Sequence, residues 1–112
     1  MALYKRGDIV SVQFPFTDIS QTKRRPAIVI SNDGVNETGD YLMVQVTSQV
    51  KRDHLSISIN NSDFTGNPLA LKSFVRVHKV FLLNESLIIN RITSVESSFL
   101  KLLIDTLSNL IS

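Results

Sequence analysis

No cysteine occurs among the 112 residues, which excludes disulfides, thiol nucleophiles and thiolate metal sites together. No apolar run approaches the roughly 20 residues that a membrane-spanning helix needs. The opening MALYKRGDIV carries no apolar signal core, so the expected location is cytoplasmic, without membrane contact. Repeats, linkers and low-complexity tracts are missing, as are the P-loop, GxGxxG and GxSxG motifs. Two histidines lie far apart and no carboxylates cluster at ligand spacing, so neither a metal nor a cofactor is expected.

Charge of one sign is also scarce: 12 lysines and arginines against 10 acids leave a formal net charge of +2. Indiscriminate attraction to nucleic acid is therefore not indicated. The cations are grouped, however, as Lys5-Arg6, Lys23-Arg24-Arg25, Lys51-Arg52, and Arg76 near Lys79. Local patches steer an anionic partner even when the net charge is small. With 43% hydrophobic and 20% charged residues, residues 1–112 read as one globular domain with one core.

Hydrophobic periodicity divides the chain into short strands and one helix. DIVSVQF at 8–14 and the β-branched run at 26–31 read as strands, the second ended by the turn signal Asn32-Asp33-Gly34. YLMVQVTS at 41–48 alternates, with Leu42, Val44 and Val46 on one face and Tyr41, Met43, Gln45 and Thr47 on the other. LSISI at 55–59, the long apolar stretch 70–83 and LIINRI at 87–92 add further strands. From Val95 the apolar spacing becomes helical, through Phe99, Leu103 and Leu107, and Thr93 with Glu96 fits a capping box. The expected fold class is mainly β with a C-terminal α-helix, arranged as a small antiparallel barrel.

Polar chemistry collects on these strands. Pro26 pushes Arg25 towards an extended conformation, presenting a planar fork of donors at a strand entrance. Such a fork suits phosphate, although a charged edge strand that resists aggregation reads the same way. Thr47 is either a good β-former or a hydroxyl for a site. In SFVRVHK at 73–79, Arg76 and His78 stand at i and i+2, hence on one face of a regular strand about 7 Å apart. A cation and an imidazole so placed can flank a phosphodiester, and histidine suits proton transfer near neutrality. A half-exposed strand with two polar residues is the plainer reading. His54, beside Arg52 and Asp53, reads as solvated surface.

Together these residues resemble the MazF/PemK family of toxin endoribonucleases. KRGDIVSVQFPFTD at 5–18, KRRPAIVISND at 23–33, VQVTS at 44–48 and SFVRVHKVFLLNESLI at 73–88 follow the family's motifs in order. The resemblance implies an SH3-like barrel acting as a homodimer and cutting single-stranded RNA without metal, leaving 2′,3′-cyclic phosphate and 5′-hydroxyl ends. It implies catalytic roles for Arg25, Thr47 and Arg76; His78 departs from it, standing where one branch of the family carries aspartate, and is the expected catalytic acceptor of the 2′-hydroxyl proton. Phe16, Thr17, Lys23, Arg24, Ser48, Lys51, Arg52 and Lys79 are the implied RNA contacts, and Phe16 and Phe64 are candidates for stacking on bases or for the core. A cognate antitoxin with an acidic tail is the implied protein partner, and DNA binding belongs to that complex. The alternative is an inactive barrel that binds nucleic acid or an antitoxin-like partner.

Overall fold

The computed structural model of the chain describes residues 2–13 and 24–112. Six strands, β1 (Asp8–Gln13), β2 (Arg24–Val29), β3 (Asp40–Thr47), β4 (Ser56–Ile59), β5 (Ser73–Asn84) and β6 (Ile88–Ser94), form one sheet. Their order is β4-β5-β3-β2-β1-β6, and every pairing is antiparallel. Among the described residues two α-helices join the sheet, the single turn α1 (Asp33–Asn36) and the C-terminal α2 (Ser97–Ile111), beside two short 3-10 turns.

The sheet curls until the connection from β4 to β5 meets the end of β6. Phe64, in that connection, bridges Val95, just after β6. Thr65 N donates to Ser94 O at 2.9 Å, and Glu96 N donates to Asp63 O at 2.7 Å. These contacts link the two ends of the sheet through the connection from β4 to β5. The expected mainly β class with a terminal helix is the fold observed, and the SH3-like description fits it.

Alternation along the central strands feeds two cores, one on each face of the sheet. Ile9, Ile28, Val44, Val46, Val75 and Val77 pack with Phe99, Leu100 and Leu103 of α2. Their neighbours Val10, Val12, Ala27, Val29, Tyr41 and Met43 pack on the opposite face with Leu83 and Ile88. The two-faced reading of β3 is therefore correct, with both faces apolar along most of the strand. Phe64 is 9% exposed and belongs to the helix-side core.

One local expectation is corrected. Thr93 lies inside β6, and α2 is capped by Glu96 without a side-chain hydrogen bond, so the Thr93–Glu96 capping box does not form. The β6 pairing with β1 runs on through Thr93 and Ser94 and takes both residues into the sheet. The second strand does end ahead of Asn32, whose side chain accepts from Val35 N at 3.2 Å and caps α1 on the way to β3.

Candidate active site

The face of the sheet opposite α2 turns polar at one end. Arg25 lies two residues before Ala27 on β2, and Gln45 and Thr47 follow Met43 on β3, so all three continue the face of the second core. There they line a cleft of about 360 Å³ together with Gln49, Lys51, Asp53, Arg76 and Lys79. Four cations and one carboxylate thus surround a single cavity.

Each of the principal side chains is held differently. Arg76 is 6% exposed, which for a guanidinium demands a partner. It donates from Nη1 to Asp53 Oδ1 at 2.8 Å and to Ser56 Oγ at 2.9 Å, and from Nη2 to Asp53 Oδ2 at 2.6 Å. These hydrogen bonds hold the Asp53 carboxyl far below the usual carboxylate range and raise the Arg76 guanidinium above its ordinary value. Arg25 stands in contrast: its buried Nε finds no hydrogen-bond partner among the described residues. Thr47 Oγ1 accepts from Gln49 N at 3.1 Å, which leaves the hydroxyl proton for an acceptor in the cleft.

Arg25, Thr47, Arg76, Lys51 and Lys79 are brought together as expected of one site. His78 is not. Val75, Val77 and Val80 face the helix-side core, while Arg76 and Lys79 face the cleft. The step from Arg76 to Lys79 is three residues instead of two, because five steps of β5, from Val75 to Val80, oppose two of β3, from Val46 to Val44. His78 is left on this irregularity, exposed and outside the cleft lining. The five-against-two register interrupts the regular alternation between Arg76 and Lys79, and the His78 imidazole is not among the groups lining the cleft.

Of the remaining expected contacts, Arg24 and Arg52 are exposed and do not line the cleft, and Ser48 lines a neighbouring apolar pocket with Pro26 and Leu69. Phe16, Thr17 and Lys23 lie outside the described residues. Among the described residues no three His, Asp or Glu side chains group to hold a metal ion. No described helix is long and apolar enough to cross a membrane. Asp53, Gln45 and Gln49 are lining residues that the sequence reading did not single out. Local spacing carries no sign of Asp53, since alternation turns Arg76 away from the face of Val75 and Val77 and a solvated arginine there needs no partner.

Solved structures with the same fold include an endoribonuclease in complex with its cognate antitoxin from Mycobacterial species, at 16% identity and TM-score 0.77, covering 96% of this chain and 94% of that one. The MazE–MazF complex (Form-II) from Deinococcus radiodurans is similar at 22% identity and TM-score 0.80, covering 99% and 97%. MazF alone (Form-I) from the same organism gives 22% and 0.79, covering 99% and 98%. No curated protein sequence matches the chain. The family model described as PemK-like, MazF-like toxin of type II toxin-antitoxin system matches residues 5–111. The chain belongs to this family of toxins.

Proposed function

We propose that the protein is a metal-independent endoribonuclease cutting single-stranded RNA at the cleft between β2, β3 and β5. The observation that carries this reading is the unpartnered Nε of Arg25, set in one cavity with Thr47 and the anchored Arg76. In this reading a ribose 2′-hydroxyl attacks the adjacent phosphorus in line. The P–O5′ bond breaks, leaving a 2′,3′-cyclic phosphate and a 5′-hydroxyl. Arg25 and Arg76 stabilise the charge developing on the phosphoryl oxygens, Thr47 orients that group, and Lys51 and Lys79 hold the flanking backbone. The antitoxin complexes among the similar structures support a cognate antitoxin as partner; in this reading the protein is a homodimer, and an acidic antitoxin segment competes with RNA for the cations of the cleft.

The proton acceptor is the least constrained part of the mechanism. Asp53, held ionised by Arg76, is too weak a base near neutrality. His78 takes that role only if the ribose lies beyond the cleft lining, next to Lys79. Its position on an exposed bulge also favours the second reading, a barrel that binds RNA without cutting it.

Cleavage of a mixed-sequence single-stranded RNA in excess EDTA, from pH 5 to 9, tests both. The nuclease reading expects cutting by wild type, and a loss of about 10²–10³-fold in Arg25→Ala. A 2′-deoxy substrate must remain intact. Wild type that binds the RNA and leaves it whole at every pH establishes the second reading. His78→Ala cutting at the wild-type rate across this range removes His78 from the mechanism and leaves the arginines in it.

A further inference from the structure

Asp53 is not a feature of any motif in the chain, yet it is the partner that fixes Arg76. It stands in the connection from β3 to β4 and reaches β5 across 23 residues of sequence. Just after Asp53 the chain is tied to β5 twice more, at Leu55 and at Ser56, the first residue of β4. Ser56 Oγ accepts from Arg76 Nη1, and Val77 N donates to Leu55 O at 2.9 Å. Leu55 N also donates to Asp53 Oδ1 at 3.2 Å, which orients the carboxylate itself. Between them His54 takes a φ of 63°, a left-handed conformation that turns the chain so that both neighbours meet β5.

The pattern of donors shows what this anchoring leaves free. A guanidinium has five N–H groups in a rigid plane. Asp53 and Ser56 take both protons of Nη1 and one of Nη2. The recorded bonds therefore leave Nε–H and the second Nη2–H, which lie along one edge of the plane and form a bidentate fork. Asp53 consequently does not use up the arginine; it selects which edge Arg76 offers.

We propose that Asp53, assisted by Ser56, is a positioning residue for RNA cleavage, holding Arg76 so that its Nε/Nη2 edge meets the scissile phosphate. The inference rests on the nuclease reading above. Asp53 touches no substrate in this account and acts only through Arg76. Its negative charge opposes RNA binding, so its benefit falls on the chemical step and not on affinity.

The test compares wild type, Asp53→Asn, Arg76→Ala and the double variant. It measures single-turnover cleavage at saturating RNA, with Kd taken separately on the uncleavable 2′-deoxy oligonucleotide. Asp53→Asn is expected to slow cleavage by about 10–100-fold, the scale of a misplaced reacting group, with Kd unchanged or lower. In the Arg76→Ala background, Asp53→Asn is expected to cost nothing further. Ser56→Ala, which removes one of the three holds, is expected to slow cleavage by a smaller factor in the same direction. Asp53→Asn cutting as fast as wild type or faster overturns the proposal, as do losses that multiply in the double variant. Inert wild type, or Arg76→Ala cutting at the wild-type rate, overturns the nuclease reading instead and takes this proposal with it.

Discussion

Two polar side chains show how burial decides what a group does. The Asp53 side chain is 43% exposed and that of Arg76 only 7%, so the pair sits at the boundary between cleft and core. Hydrogen bonds from Arg76 are the main cause of the lowered Asp53 carboxyl. A folded-state value below the unfolded one means that the group's stabilisation is complete above the unfolded value, about 4, and is lost as pH falls below it. The stability difference between wild type and Asp53→Asn should be constant from pH 5 to 9 and should narrow below about pH 4. Urea unfolding at each pH measures it, and a gap that widens towards acid contradicts the assignment. Thr93 presents the opposite case. Its Oγ1 is buried without a partner among the described residues. Thr93→Val keeps the shape, suits a strand and removes the unpaired group, and should stabilise the protein by about 1 kcal/mol. Thermal unfolding should show a rise of roughly 4 °C, and a fall would mean the hydroxyl is bonded in solution.

Strands and helix differ in how far their sequence reveals them. The alternation of β3 identified both of its faces, because side-chain direction in a regular strand has period two. Regular alternation is interrupted in β5, where five steps oppose two of β3 and Lys79 lines the cleft while His78 does not, an irregularity that leaves no mark on composition. Asp53 was hidden for a related reason, since a contact between a loop and a strand across 23 residues has no local spacing. The terminal helix was legible from its apolar period, but its start was not, because β6 pairing outcompeted the cap offered by Thr93. That helix packs on one face only. Leu103 is fully buried and Leu102 is 51% exposed. Leu103→Ala should cost about 3 kcal/mol, and Leu102→Ala no more than about 0.5 kcal/mol. Equal losses in urea unfolding would show that α2 is covered on its outer side as well. Because α2 packs on the face opposite the cleft, folded Leu103→Ala should cleave RNA at the wild-type rate below its unfolding transition.

Across the protein the net charge of +2 conceals a strong asymmetry. Among the described residues Arg25, Lys51, Arg76 and Lys79 face one cavity against Asp53, a lining three charges positive. Binding of a polyanion there releases condensed counterions in proportion to the phosphates neutralised, and the logarithm of affinity falls with the logarithm of salt at about 0.7 per contact for a single strand. Three such contacts give a slope of about 2, or a loss of roughly twentyfold between 50 and 200 mM salt. Lys51→Gln and Lys79→Gln should each lower that slope by about 0.7. Lys101 provides the control, being an exposed lysine on α2 paired with Asp105 at 3.2 Å. Lys101→Gln changes the net charge by the same amount and should leave the slope intact. Should all three variants shift the slope alike, the RNA is responding to total charge and the cleft is not its seat. A change confined to Lys51 and Lys79 locates the polyanion on the face opposite the helix, where β2, β3 and β5 bring the arginines together.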